Sequence, residues 1–417
     1  MQKAAVQELY ELLLENSPTK QRLAIVEALT DICGELGDWR TALAFGPELL
    51  VLRIEVVGAD HRDTLVTRAN IAVWTAEGGD ATRALELLGL LLPDRVRVLG
   101  ADHPDTLATR GHIVAWTVRC GDAATALGLA EALLLDRSRA LGADHPDTLR
   151  TRGHIASLAG ECGGWATALE LENLLLPDFL RVYGADHLDT LRTRGNIAVL
   201  TGRCGDLATA LAIAELLLPD QERVLGADHP DTLRARGQIA VWTSLCGDAT
   251  RALELLELLL PDQVRLLGAD HPDSLTTRYS IAVGTGECGD LATALDLAEL
   301  LLPDQLRVLG ADHPDTLQTR AHLAGLTGLR GDAVTALKLF GSLVADQVRV
   351  LGPDHPDTLT TRRNIAGWTG ECGDVSRGLR LFEMLVADQV RVLGDDHPET
   401  LTTRNAIDFW AESTTAQ

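Results

Sequence analysis

One eight-residue motif, Gly-Ala-Asp-His-Pro-Asp-Thr-Leu, recurs along this chain at a constant spacing of 42 residues. It is complete at 100–107, and the other copies are whole or carry one or two substitutions. The copies begin at Gly58, Gly100, Gly142, Gly184, Gly226, Gly268, Gly310, Gly352 and Gly394. No insertion or deletion interrupts the period. A fixed period of this length is typical of stacked repeat proteins, in which each unit packs on its neighbours.

Each repeat carries the signals of two helices joined by a turn. In the copy at 184–225, Asp186 and His187 are candidate caps of a first helix, called helix A, and Gly205-Asp206 ends it and caps a second, helix B. Helix B is predicted from about 207 to 225, where Gly226 ends it. Five B helices contain a proline at one equivalent internal position, which removes one backbone hydrogen bond and predicts a bend without a break. These prolines are Pro93, Pro177, Pro219, Pro261 and Pro303.

The same register predicts how the chain is divided. Residues 1–17 are expected to form a capping helix of the B type, residues 18–397 nine tandem repeats, and residues 398–417 a C-terminal capping helix and tail. The predicted fold class is therefore all-α, an α-solenoid of about nine helix-turn-helix repeats with one further helix at each end. A start in the middle of a repeat is also what a piece of a longer protein would have.

The charge of the chain argues against one large class of function. Its 60 acidic and 37 basic residues give a formal net charge of −23. Phosphate contacts need a basic surface, so nucleic-acid binding is not expected. No apolar run approaches the length of a membrane span. Free thiols and the lack of a recognisable signal peptide favour the cytoplasm.

The cysteines and the motif histidines each form a column, which is a set of residues at one position of successive repeats. Both residue types can bind metals, but we interpret both columns as structural. Corresponding residues of stacked repeats lie about 8–10 Å apart, beyond the roughly 7 Å between Cα atoms that a disulfide tolerates. We therefore expect the cysteines to stay reduced and close turns, and the motif histidines to cap helices. No metal, cofactor or catalytic site is predicted. The cysteines are Cys120, Cys162, Cys204, Cys246, Cys288 and Cys372.

Several short segments between residues 196 and 230 resemble the tetratricopeptide repeat family, in its kinesin-light-chain type. They are Asn196-Ile197-Ala198, Gly205-Asp206, Ala210 and Leu225-Gly226-Ala227-Asp228-His229-Pro230. The resemblance covers nearly the whole chain. It implies a right-handed superhelix whose A helices line a concave groove, and binding of a peptide or protein segment in that groove. Similar arrays are also C-terminal sensors of bacterial nucleotide-binding switch proteins of the NB-ARC or STAND type, although the chain has no Gly-x-x-x-x-Gly-Lys phosphate loop.

Two other columns carry opposite charge. Arginine occupies one helix A position from Arg68 to Arg404, and aspartate one helix B position from Asp94 to Asp388. Both positions are apolar in the first repeat, at residues 26 and 52. This joint loss predicts an Arg–Asp pair within each repeat, because a buried guanidinium needs such a partner. Arg404 has no partner in its own repeat and is predicted to turn to Asp388. Two separately solvated columns are the alternative.

The helix A residues at i, i+4, i+7 and i+11 share one face and form the predicted groove. Its amide and imidazole groups can bind a peptide backbone, and its arginines can pair with carboxylates. The predicted groove residues are His112, Arg119, Arg150, His154, Arg192, Asn196, Arg203, Arg234 and Gln238. The predicted partner is a protein or peptide segment with acidic side chains or a free C-terminal carboxylate. The alternative is that these arginines are solvated, some of them paired with Glu161.

Overall fold

A computed structural model describes residues 18–415, and over this range the chain forms 19 helices and no strand. The predicted helix at 1–17 lies outside the described residues. The A helices are α1 (Thr19–Glu35), α3 (Arg62–Glu77), α5 (Pro104–Arg119), α7 (Pro146–Glu161), α9 (Leu188–Arg203), α11 (Pro230–Leu245), α13 (Pro272–Glu287), α15 (Pro314–Leu329), α17 (Pro356–Glu371) and α19 (Pro398–Thr415). The B helices are α2 (Trp39–Val57), α4 (Ala81–Leu99), α6 (Ala123–Leu141), α8 (Trp165–Tyr183), α10 (Leu207–Leu225), α12 (Ala249–Leu267), α14 (Leu291–Val308), α16 (Ala333–Val350) and α18 (Val375–Val392).

The helices belong to two compact units. Helices α1–α9 lie in unit 1, which ends at Asp206, and α10–α19 lie in unit 2, which begins at Leu207. Inside each unit a helix packs on the helices before and after it in the chain. Consecutive A helices also touch, as α3 does with α5 and α13 with α15. The all-α, tandem helix-turn-helix architecture predicted from the period is confirmed.

Capping side chains begin both kinds of helix. At the start of α5, His103 Nδ1 accepts a hydrogen bond from the backbone N–H of Asp105 at 3.1 Å. At the start of α4, Asp80 Oδ1 accepts from the backbone N–H of Arg83 at 2.9 Å. The turn before α4 needs Gly79, whose φ of 104° costs other residues strain. The capping role predicted for the motif histidines is confirmed.

The core is built from three consecutive helices at a time. In one such cluster, Leu65 of α3, Leu88 and Leu91 of α4 and Trp116 of α5 come together, the three leucines fully buried. Each layer is thin because only one stripe of every helix faces inward. The groove residues are therefore carried by A helices whose opposite sides are fixed by this packing.

The internal prolines leave the B helices continuous, and an arginine of helix A donates to a carbonyl close to four of them. In α12, which contains Pro261, Arg236 Nη2 donates to the carbonyl of Leu258 at 3.2 Å. Arg68, Arg152 and Arg278 donate the same hydrogen bond to the carbonyls of Leu90, Leu174 and Leu300, each of which lies three residues before a proline. Among the described residues it is missing at Arg110, Arg320 and Arg362, whose repeats carry Leu135, Ala345 and Ala387 at the proline position. A break is excluded, and the bend stays a prediction.

The predicted Arg–Asp pairs form within the repeats. Their arginine side chains are 20–28% exposed and their aspartates 25–35%, so they are half-buried. The pairs that lie inside one unit, called the ladder pairs, are Arg68–Asp94, Arg110–Asp136, Arg152–Asp178, Arg236–Asp262, Arg278–Asp304, Arg320–Asp346 and Arg362–Asp388. The alternative hypothesis, in which the arginine and aspartate columns are solvated separately, is wrong. In the first repeat, Val26 and Leu52 are buried together in an apolar cluster instead.

The pairing predicted for Arg404 is wrong. Its guanidinium binds the carboxylate of Asp395, nine residues earlier in the chain. Asp388 is already held by Arg362 at 2.7 Å and by Arg391 at 3.4 Å. Because Asp395 lies in the loop that leads into α19, it reaches Arg404 without competing for an occupied carboxylate.

Each ladder pair extends to the aspartate of the motif. Arg97 binds the carboxylate of Asp60 through two hydrogen bonds of 2.6 and 2.9 Å, and it lies 3.1 Å from Asp94, the ladder partner of Arg68. Both guanidinium groups hold the pKa of Asp94 below its usual range through these hydrogen bonds. The motif aspartate therefore ties the start of helix A to the end of helix B, a role the sequence analysis did not predict.

Candidate functional site

A cavity of about 220 Å³ opens between α5 and α7 on the A-helix face of unit 1. Three predicted groove residues line it: His112, Arg150 and His154. Arg137 from α6 and Asp147 join them, and Val114, Ala130 and Leu133 supply apolar walls. The structure thus brings one part of the predicted site together and adds a second arginine.

Arg137 is positioned by backbone and hydroxyl groups. Its Nη1 donates to the carbonyl of Asp147 at 3.1 Å and to Thr151 Oγ1 at 2.7 Å, and its Nη2 to the carbonyl of Leu107 at 3.4 Å. A Cβ atom at Gly111 would come within 3.0 Å of the guanidinium, so glycine keeps this side of Arg137 open. Burial lowers the pKa of Arg137, whose charge remains because arginine is always protonated in proteins.

The two histidines of the cavity are biased toward the neutral form. Burial is the first cause that lowers the pKa of His112, followed by the charges of Arg95 and Arg137. Burial also lowers the pKa of His154, followed by Arg150 and Arg137. A neutral imidazole can donate one hydrogen bond and accept another. The cavity therefore offers two adaptable hydrogen-bonding groups together with two positive charges.

One negative charge offsets part of this field. Asp147 Oδ1 lies 3.4 Å from Arg150 Nη2, and both side chains are exposed to solvent, 38% and 61% respectively. With Arg137 and Arg150 positive, Asp147 negative and both histidines neutral, the lining carries one net positive charge. A local positive field inside a strongly acidic chain favours a single anionic group.

The other predicted groove residues of unit 1 lie elsewhere and have partners. Arg119 stacks over the ring of Trp116 at 4.7 Å and lies 3.7 Å from Glu77. Arg203 lies over the ring of Trp165 at 5.2 Å. Arg192 is exposed on α9. Arg119 is therefore paired with Glu77, and the pairing with Glu161 named as the alternative is not seen among the described residues.

Asn196 has a specific role inside unit 1. Its Nδ2 donates at 2.8 Å to Oε1 of Glu172, a carboxyl group only 2% exposed. Burial raises the pKa of Glu172, against the opposing hydrogen bonds from Asn196 and Thr193. The side chain of Asn196 is therefore hydrogen-bonded to a buried carboxyl group. The pattern of polar residues on helix A did not predict this contact.

The A-helix face of unit 2 carries the last two predicted groove residues and a further opening. Arg234 pairs with Asp231 at 3.2 Å, and Gln238 is half-buried on α11. A cavity of about 180 Å³ is lined mainly by apolar residues of α11–α13, with Tyr279 at one side and Glu287 at the other. Ser244 Oγ donates to Glu287 Oε2 at 2.9 Å. The corresponding opening of unit 1, of about 200 Å³, is lined by His154 and Glu161, so both units place a carboxylate at this position.

Arg137 belongs to a polar core column that sequence reasoning missed. Its counterpart Arg95 is only 4% exposed and bridges the carbonyls of Leu65 in α3 and Asp105 in α5. Phe179 takes this place in α8. The later members are buried glutamines: Gln221, Gln263, Gln305, Gln347 and Gln389. The repetition of glutamine directly after the ladder aspartate was the available signal.

The exposed thiols and the histidines do not assemble into an ion site in the part of the chain that the structure describes. Cys120 ends α5, and Cys162 ends α7; both side chains are exposed. No group of three or more His, Cys, Asp or Glu residues within 18–415 is placed to hold a metal ion. None of the described helices is both long and apolar enough to span a membrane.

A family profile described as tetratricopeptide repeat matches residues 64–105, 106–147, 190–231, 232–273, 316–357 and 358–399. The chain belongs to the tetratricopeptide repeat family. The matches have the 42-residue length of the kinesin-light-chain type of repeat that the sequence resembles. Comparison with curated proteins gives no match.

Three solved structures are similar to this chain to different degrees. The quorum sensor NprR from B. thuringiensis, in its apo form, has a TM-score of 0.56 at 15% identity, over 86% of this chain and 99% of that one. A Rap protein complexed with competence and sporulation factor has a TM-score of 0.54 at 9% identity, over 90% and 99%. A putative kinesin light chain from Podosopora anserina has a TM-score of 0.42 at 25% identity, over 50% and 98%.

Proposed function

We propose that this tetratricopeptide repeat protein is a non-catalytic interaction scaffold that binds a peptide or protein segment on its A-helix face. An acidic side chain or the C-terminal carboxylate of that segment enters the cavity of unit 1. The observation that carries the proposal is the convergence of Arg137, Arg150, His112 and His154 on one opening. Guanidinium groups bind carboxylates through two parallel hydrogen bonds, and the imidazoles can bind the adjoining backbone.

The size of the cavity favours a side chain over a free metabolite. Its volume of about 220 Å³ is below the roughly 300–1,000 Å³ of typical small-molecule sites. The lining is also better suited to recognition than to turnover. Thr151 Oγ1 donates to the carbonyl of Asp147 at 2.7 Å and accepts from Arg137, so this hydroxyl is not activated as a nucleophile.

Related arrays make a bound factor on this kind of fold plausible. The Rap protein of similar fold is complexed with competence and sporulation factor, and NprR is a quorum sensor. At 9% and 15% identity these likenesses concern the fold alone. The chemistry of the partner is therefore argued from the side chains of the cavity.

Binding of a carboxylate should depend on pH. A bound anion favours the protonated form of His112 and His154, whose pKa values are low in the free protein. By linkage, the affinity should rise as the pH falls from about 7.5 to about 5.5, as long as the ligand carboxylate stays ionised. A partner held only by apolar contacts would not show this dependence.

The test uses an array of immobilised peptides, each made with a free and with an amidated C-terminus. We expect the bound set to be enriched in Asp and Glu or to lose binding on amidation. The double variant Arg137→Gln with Arg150→Ala should weaken binding at least tenfold, since a truncated buried charge contact costs about 2–5 kcal/mol. Glutamine occurs naturally at the position of Arg137 in later repeats, so this change should preserve packing.

The matched control is Arg83→Ala. Arg83 is 56% exposed and pairs with Glu86 at i+3, just as Arg150 is 61% exposed and pairs with Asp147 at i−3. This control should keep full affinity. Equal binding by the double variant and the parent, or an equal loss in Arg83→Ala, would show that the cavity of unit 1 is not the site.

A further inference from the structure

A row of exposed leucines lies on the B helices of unit 2, away from the A-helix face. Leu216 of α10 is 75% exposed, and Leu258 of α12 and Leu300 of α14 are each 68% exposed. They occupy one repeat position, so they follow one another along the same side of consecutive B helices. An exposed proline follows each of them by three residues and extends the apolar surface. Contiguous exposed apolar residues of this kind mark interaction surfaces.

Carboxylates border this leucine row. Glu215, Glu257 and Glu299 directly precede the three leucines. Glu254 and Asp296 lie one turn earlier on α12 and α14, on the same helix faces. Glu215 is paired with Arg251 at 2.8 Å. Within residues 18–415, no lysine or arginine forms an ion pair with the other four carboxylates, which are therefore available to a partner.

We propose that the leucine row of α10, α12 and α14 docks a basic amphipathic helix of a partner protein. Its apolar face would cover the leucines and prolines, and its lysines or arginines would pair with the bordering carboxylates. A second copy of this chain is disfavoured, because a two-fold contact would set the same carboxylates against each other. Anionic membrane surfaces and nucleic acids are repelled by the same charge.

The last two B helices provide a comparison within the same unit. At the corresponding positions α16 has Lys338, Gly341, Ser342 and Ala345, so it lacks the leucine, the proline and the acidic border. In α18, Met384 is 64% exposed but Arg380 replaces the first carboxylate. Within unit 2, the acidic and apolar surface is thus confined to three consecutive repeats, and serine is an established replacement for the leucine. In unit 1, Leu90 and Leu174 occupy the same repeat position and are each 67% exposed, but Gly89 and Asn173 replace the glutamate before them.

The experiment uses the full chain and an 18-residue fluorescein-labelled model helix with leucines on one face and lysines on the other. A matched helix carries glutamate in place of lysine. We expect the lysine helix to bind and the glutamate helix to bind at least tenfold more weakly. The triple variant Leu216→Ser, Leu258→Ser and Leu300→Ser should lose at least tenfold in affinity for the lysine helix, with unchanged circular dichroism.

The controls separate this surface from general attraction to an acidic protein and from the cavity of unit 1. The triple variant keeps every charge, so unchanged affinity would overturn the proposal. The variant Leu245→Ser with Leu329→Ser removes two leucines that are 62% and 63% exposed on A helices, and it should keep full affinity. The variant Arg137→Gln with Arg150→Ala, which alters only the cavity of unit 1, should also keep full affinity for the lysine helix. An equal loss in either control, or a self-association of the parent chain that the triple variant abolishes, would overturn the proposed occupant.

Discussion

At the scale of single residues, the backbone of the repeat is preserved while the side chain at one position changes from arginine to glutamine. The polar core column holds Arg95 and Arg137 in unit 1 and glutamines in unit 2, with Phe179 between them. Composition alone assigns arginine and glutamine to the surface, which is why this column was not predicted. Only the packing reveals that Arg137 crosses from α6 to the cavity.

Glu172 is a second buried polar residue that the sequence analysis did not predict, although its repeat position offered a signal. Its neighbours at this repeat position are apolar, for example Leu88, Ala130 and Leu256. Because the side chain is buried, the folded protein prefers its protonated form. The folded chain therefore binds a proton more tightly than the unfolded chain, and stability falls as the pH rises from the ordinary glutamate pKa of 4.5 through the raised value.

We therefore expect Glu172→Gln to stabilise the protein at neutral pH by about 1–3 kcal/mol, the cost of a buried polar group without full hydrogen bonding. The gain should vanish at acid pH, where Glu172 is protonated in both states. Urea unfolding followed by circular dichroism at several pH values measures this difference. Glu170→Gln, an exposed position on the same helix, is the control and should change little. A gain that does not depend on pH would contradict the assignment.

At the scale of helices, the boundaries could be predicted because proline, glycine and aspartate punctuate every repeat. Helix α10 spans Leu207–Leu225, the range predicted for this B helix. The ladder pairs could also be predicted, since both columns become apolar together in the first repeat. The contact between Arg97 and Asp60 could not be predicted, because these residues lie 37 positions apart and share no local sequence pattern. Its detection needed the relative orientation of the two helices.

The ladder pair of α11 and α12 gives a prediction at this scale. Asp262→Ala should destabilise the protein by about 1–3 kcal/mol, because Arg236 is 20% exposed and the pair lies between the surface and buried extremes. The double variant Arg236→Leu with Asp262→Leu should recover much of the loss, as Val26 and Leu52 do naturally. A double-mutant cycle from urea unfolding measures the coupling.

Arg265→Ala is the control for this pair. Its side chain is 55% exposed although it binds Asp228 and Asp262, so its removal should cost much less stability than Asp262→Ala. If Arg236→Leu and Asp262→Leu are additive, the two columns do not stabilise the repeat as pairs.

At the scale of the whole chain, the fold could be predicted much further than the site. An unbroken period specifies which helices are neighbours, so the tandem helix-turn-helix arrangement followed from it directly. The site depends on which side chains of successive repeats share an opening. His112, Arg150 and His154 do share one, whereas Arg119 and Arg203 are stacked on tryptophans. A pattern of polar residues on helix A cannot separate these two outcomes, because both leave the arginine exposed.

Nearest-neighbour packing predicts that stability is local. Inside unit 2 each helix packs on those next to it in the chain, and repeat arrays of this kind sum the stabilities of their neighbouring contacts. Leu259→Ala in α12 removes a fully buried side chain, a change that typically costs about 2–5 kcal/mol. Hydrogen exchange should therefore accelerate in α11, α12 and α13 and stay unchanged in α17. Leu258→Ala, which truncates the adjacent but 68% exposed leucine, should leave all four helices unchanged. Equal acceleration in α17 would mean that unit 2 opens as one cooperative body.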